Sequence, residues 1–120
     1  MAESAADIAF ARDLLSGLGP VDVRRMFGGA GIYAGGVMFG LLDDGRIYLK
    51  VDAALKADLT AEGSVSWQYS RTDKVFEETS YWSLPEGALD DPDEACAWAR
   101  RALAAAQALK AAGPAKRKRR

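Results

Sequence analysis

The sequence has no histidine among its 120 residues. That absence removes serine–histidine and cysteine–histidine nucleophile systems and the commonest metal ligand. The single cysteine, Cys96, cannot close an intramolecular disulfide, and one thiol fits a reducing compartment. The apolar runs fall far short of the ~20 residues that span a bilayer. The acidic start lacks the charged and apolar regions of a signal peptide. These gaps predict a cytoplasmic protein that makes no use of a membrane.

Five of the 16 basic residues stand together as Lys116, Arg117, Lys118, Arg119 and Arg120, which leaves 11 basic against 17 acidic residues, a net of −6, in the body before them. An acidic body argues against a domain-wide nucleic-acid surface. Hydrophobic residues make up 49% and charged residues 28%, a globular balance, and the length fits one domain. The predicted organisation is a domain over 1–113 and a disordered basic tail over 114–120.

The chain is organised around residues 24–52, which hold most of the glycines. Residues 22–34 read as one long strand bent at Gly28-Gly29, with two short strands as the alternative, and one glycine of the pair is expected in a backbone conformation that a side chain would strain. Gly35-Gly36 makes a two-residue hairpin turn. Val37 to Leu42 follows as a strand in which Gly40 lets another backbone approach closely. Asp43-Asp44-Gly45 turns again. Arg46 to Val51 alternates, with Ile47, Leu49 and Val51 on a buried face and Arg46, Tyr48 and Lys50 on a wetter one.

Helical spacing sets the flanks. Residues 4–18 read as an amphipathic helix capped by Ser4, with Ile8, Ala11, Leu14, Leu15 and Leu18 on one face. Asp52 caps a short helix carrying Leu55 and Leu59 that ends at Gly63. Val65, Trp67 and Tyr69 alternate in a strand, Arg71 to Lys74 turns, and Val75 to Trp82 returns as its partner. Asp91, Pro92 and Glu94 open a last helix whose buried face holds Ala95, Trp98, Ala99, Ala102, Leu103 and Ala106, and Gly113-Pro114 ends it. The predicted class is α+β: a two-layer antiparallel sheet of about five strands, helices mainly on one face, in the order α-β-β-β-α-β-β-α.

Few residues point to chemistry. Gly29 to Ala34 matches G-x-G-x-x-G/A, but a dinucleotide site needs a helix to open there, and Gly35-Gly36 with a strand follows instead. Cys96 lies near a helix start, where a thiol can be acidified, although a small buried hydrophobe is the commoner role. Asp43-Asp44 makes a better turn than a metal site, and Glu77-Glu78 points to opposite strand faces, a poor acid–base pair. No catalytic, metal or cofactor residue is assigned. Arg24, Arg25, Tyr33, Tyr48, Lys50, Tyr81 and Trp82 mix cations with aromatics around the sheet and form a candidate partner-binding face. A sheet face covered by its own helices and long side chains is the alternative. The tail from Lys116 to Arg120 is the candidate for weak, non-specific nucleic-acid contact, with no aromatic interleaved for stacking.

Arg25-Met26-Phe27-Gly28-Gly29, then Gly31-Ile32-Tyr33, Met38-Phe39-Gly40 and Asp44-Gly45-Arg46-Ile47-Tyr48-Leu49-Lys50, resembles the N-terminal domain of the TfoX/Sxy family of competence regulators. Ser80-Tyr81-Trp82 with Pro85, and Trp98-Ala99-Arg100 in the closing helix, resemble the later family segments. The resemblance runs from about Val21 to Ala106. It implies a two-layer α+β domain of secretion-chaperone-like fold, with no known catalytic or cofactor residue, and a link to transcriptional control of DNA uptake. Full-length regulators carry a second, helical domain and act with a cyclic-AMP receptor protein, so the chain is read as the stand-alone form of the first domain. Glu77 and Glu78 depart from the more apolar stretch expected there. The expected function is a non-enzymatic regulatory or adaptor domain acting through protein contacts, a homodimer being compatible. The alternative is a nucleic-acid-associated accessory protein using its tail, and third comes a small ligand-binding protein or enzyme.

Overall fold

The computed structural model describes residues 4–26, 29–71 and 74–112. The chain runs α1 (Ala5–Leu14), β1 (Asp22–Met26), β2 (Gly29–Ala34), β3 (Val37–Asp43), β4 (Arg46–Lys50), α2 (Ala53–Ala61), β5 (Ser66–Arg71), β6 (Lys74–Ser83) and α3 (Pro92–Ala112), with single 3-10 turns at Ser16–Leu18 and Glu86–Ala88. The strands form one antiparallel sheet in the order β1-β2-β3-β4-β6-β5. The α+β class and the antiparallel sheet stand as expected from the sequence.

The strand count differs, and the difference lies at the glycine pair. Residues 22–34 are not one bent strand. β1 and β2 pair with each other, Met26 opposite Gly29 and Asp22 opposite Tyr33, so the chain reverses between them. Gly28 is outside the described residues. Gly29 is not among the glycines with positive φ; its constraint is space, because a Cβ there would stand 2.5 Å from the Leu42 carbonyl oxygen.

The caps read from the sequence are in place. The Ser4 Oγ accepts from the Asp7 amide at 3.0 Å, the Asp52 carboxylate from Leu55 at 2.9 Å and the Asp91 carboxylate from Glu94 at 3.2 Å. Each satisfies an amide that a helix start leaves without a partner. The Gly35-Gly36 turn has φ of 58° and 81°, the doubly positive pair whose twist matches a tight hairpin. The stop at Gly113-Pro114 and the tail lie outside the described residues, as does the centre of the turn between Arg71 and Lys74.

One core joins the helices to one sheet face. Ala30, Ile32, Phe39, Leu42, Ile47 and Leu49 from the sheet meet Leu14 and Leu15, Leu55 and Leu59 of α2, and the alanine stripe of α3. Ala95, Ala99, Ala102 and Ala106 are buried, and side chains this small let α3 lie close on β3, its main sheet contact.

Strict alternation would send Phe39 and Leu42 to opposite faces, yet both are buried in the core. The β2–β3 register shows how. Ile32 pairs with Gly40 and Tyr33 with Met38, so Phe39 is a bulge residue with no partner opposite. Phe39 and Gly40 both sit on the core side, and Gly40 supplies no side chain. A Cβ there would meet the Tyr48 carbonyl oxygen at 2.9 Å and Ile32 Cδ1 at 3.6 Å. Valine at Gly29 or at Gly40 should each lower stability by about 1–3 kcal/mol through overpacking. Urea denaturation of the single variants checks this, and wild-type midpoints for both would contradict the close-approach account.

Candidate partner-binding face

The sheet has a helix-covered face and an outer face, and cross-strand pairing decides which side each candidate residue takes. Arg24 pairs with Gly31 and Arg25 with Ala30. Arg24 is therefore on the outer face, its guanidinium 4.6 Å from the Tyr33 ring centre. Arg25 is on the helix side of the same exposed edge strand. On β4, Tyr48 and Lys50 face outward beside Ser83 and Tyr81 of β6, while Trp82 pairs with the core residue Leu49. Trp82 packs against the core with the Lys56 ammonium 5.5 Å from its ring. The structure thus brings together Arg24, Tyr33, Tyr48, Lys50 and Tyr81, and separates Arg25 and Trp82 from them.

Half of this outer face is covered by an aromatic layer that no helix supplies. β6 changes partner along its length: Tyr81 to Ser83 pair with β4, and β5 jumps from Ser66 opposite Trp82 to Trp67 opposite Glu78. This irregularity swings Trp67 over the sheet. Its indole nitrogen donates to the Asp43 carboxylate at 2.8 Å, reaching β3 from the far edge strand across β6 and β4. Its ring stacks on Tyr69 at 4.7 Å, meets Tyr81 edge-on at 6.2 Å and leans over Tyr48 at 6.4 Å. Tyr48 is left only 8% exposed, so it anchors the fold and offers little to a partner. Tyr69 stacks in turn on Phe76.

The other half stays accessible. A shallow groove of about 330 Å³ opens where α3 passes the β2–β3 hairpin, lined by Tyr33, Met38, Lys50, Tyr81, Leu109 and Lys110 among others. The Lys50 ammonium lies 5.0 Å over the Tyr81 ring. Three residues of the sequence-predicted face, Tyr33, Lys50 and Tyr81, meet here. Sequence reasoning missed Leu109 and Lys110; the available signal was the apolar spacing of α3, which continues past Ala106 to Leu109. It also missed Trp67, Tyr69 and Phe76 as members of the outer layer, because the register jump that places them leaves no local pattern.

The remaining candidates are engaged in structure. Asp43 holds the Trp67 indole, Asp44 forms the hairpin turn with φ of 53°, and Glu77 accepts from the Ser66 hydroxyl. Cys96 is buried, its thiol 3.5 Å from the Leu14 carbonyl. Gly29 to Ala34 is a strand, with no helix opening on its glycines. Among the described residues, no three carboxylate, cysteine or histidine groups converge as a metal site, and no helix is long and apolar enough to cross a membrane. The tail cations lie outside the described residues.

Trp67→Phe keeps an aromatic ring, though a smaller one, and leaves a half-buried Asp43 carboxylate without its indole donor. It should destabilise the domain by about 1–2 kcal/mol. Asp43→Ala should then cost less in the Trp67→Phe background than in the wild type, measured as a double-mutant cycle by urea denaturation; additive effects would show that the two groups do not interact.

A family model described as the TfoX N-terminal domain matches residues 13–106. No curated protein gives a significant match to the chain.

Proposed function

The chain belongs to the TfoX N-terminal domain family, and from that premise we propose that it is a non-enzymatic regulatory domain acting in the cytoplasm through protein–protein contacts in transcriptional control. The observation that carries this reading is the groove between the end of α3 and the β2–β3 hairpin. Tyrosine rings, a cation over one of them and an exposed leucine share one concave site. Interfaces favour such amphipathic aromatic anchors, and an apolar patch rimmed by polar groups is the usual mark of a docking site. Two carboxylates of the sheet, Asp43 and Glu77, serve as acceptors for Trp67 and Ser66.

Deleting the gene in its native bacterium should change the levels of a defined set of transcripts. Wild-type protein should restore them, and Leu109→Asp should not. Leu109 is 55% exposed, so that change should alter stability by no more than about 0.5 kcal/mol. An unchanged transcript profile in the deletion strain would refute the regulatory reading.

The separation of charge favours a second reading, a nucleic-acid-associated accessory protein. Five cations are collected at residues 116–120, against a net of −6 in the rest. On this reading the tail supplies nearly all of the affinity, and binding is sequence-blind and lost at moderate salt. Removing residues 114–120 should abolish DNA binding in a salt series and leave the melting temperature unchanged. Tight or sequence-specific binding by the truncated protein would instead make the folded domain the reader.

A further inference from the structure

The sheet ends on one side in β1, whose residues are Asp22, Val23, Arg24, Arg25 and Met26. All but Val23 are exposed, and Val23 is half-buried. At the other end of the sheet β5 starts at Ser66, which is only 7% exposed, so β1 is the more open edge. The next hairpin decides which backbone groups of β1 face outward. Ala34 and Val37 flank the Gly35-Gly36 turn and so bond to each other. Alternation along β2 then turns Tyr33, Gly31 and Gly29 toward β1, where they meet Asp22, Arg24 and Met26. Val23 and Arg25 therefore aim their amides and carbonyls away from the sheet.

Charge on an edge strand commonly guards it against pairing. Here the charges discriminate among registers. A second copy related by two-fold symmetry runs antiparallel to the first. An axis through Asp22, Arg24 or Arg25 sets that residue against its own copy, like charge on like. One through Met26 leaves Asp22 outside the paired stretch. An axis through Val23 sets Asp22 opposite Arg24 of the second copy and Arg24 opposite its Asp22, with the two valines facing each other. Arg24 is oriented for this before a partner arrives. Its guanidinium lies 4.6 Å from the Tyr33 ring centre and 3.4 Å from the Asp22 carboxylate of its own chain. Tyr33 in turn lies over Gly31, where a Cβ would stand 2.8 Å from the Tyr33 Cε1.

We propose that a second copy of this chain adds to the β1 edge, antiparallel and centred on Val23, so that the sheets of two molecules join into one. The inference goes beyond the regulatory reading and does not depend on it. The Val23 amides and carbonyls of the two copies exchange hydrogen bonds. Each Asp22 carboxylate gains a second guanidinium, so the outer face closes a ring of alternating charges that fixes the register. An edge of five residues is a small contact, and the dimer forms and parts reversibly with concentration.

Sedimentation velocity of the full-length protein over a range of concentrations tests this. The wild type should pass from monomer to dimer as its concentration rises. Asp22→Arg and Arg24→Asp should each weaken dimerisation about tenfold or more, since each turns two attractive contacts into repulsive ones. Combining both substitutions in one chain should restore it. Mixing the two single variants should also restore it, because every cross-strand contact is then again between opposite charges. Both positions are exposed, and circular dichroism confirms the fold of each variant. A wild type that stays monomeric at every concentration overturns the proposal and leaves the edge to a strand of another protein. A dimer indifferent to the single substitutions, or not restored by combining or mixing them, overturns it as well, because it uses another surface or register.

Discussion

The two consecutive core-side positions on β3 are the constraint on which the rest depends. β3 lies near the middle of the sheet, between β2 and β4, and α3 packs mainly on it. Phe39 and Leu42 can both reach the core only if the strand carries an unpaired residue, and it does so at Phe39. The bulge then points Gly40 toward the same side, where the Tyr48 carbonyl leaves no room for a Cβ. Phenylalanine fills the core, and the glycine beside it lets neighbouring strands close. The alanine stripe of α3 is the matching half of this arrangement, since larger side chains would hold the helix away from β3.

A second irregularity divides the outer face. β6 gives its C-terminal residues to β4 and its N-terminal half to β5, with a register jump between. The β5–β6 hairpin therefore folds its aromatics over the sheet instead of extending it flat. Trp67 fastens this cover through its bond to Asp43. One half of the face becomes a second, aromatic packing layer. The other half, around Tyr33, Met38 and Lys50, keeps a groove. The covered half thus confines the accessible part of the face to a groove of limited size.

The parts of this arrangement that are local in sequence were legible. The caps at Ser4, Asp52 and Asp91, the turn at Gly35-Gly36 and the inward leucines of α2 each follow from residues within one turn of one another. The close approach at Gly40 was also readable, since a glycine in an apolar strand has few other reasons to be there. What stayed hidden depends on register between distant strands. The glycine pair at 28–29 looked like a bend because nothing local says that residues 22–26 pair back on 29–34. Tyr48 looked wet because its strand alternates cleanly, yet Trp67, 19 positions later, covers it. Tyr81 and Trp82 are neighbours in sequence and were grouped together, but adjacent strand residues take opposite faces, and only the pairing with Lys50 and Leu49 says which is which.

Charge and packing then bear on the same end of the molecule. The cations of the body are partly committed to aromatic rings: Arg24 to Tyr33, Lys50 to Tyr81, Lys56 to Trp82 and Arg101 to Trp98. A cation held over an exposed ring is oriented at little further entropic loss, and its remaining hydrogens stay available to an anion. At the groove this fixes Lys50 in place beside an exposed apolar side chain. The last turn of α3 adds Lys110. Both lysines stand out on a body whose remaining charge before residue 116 is net acidic.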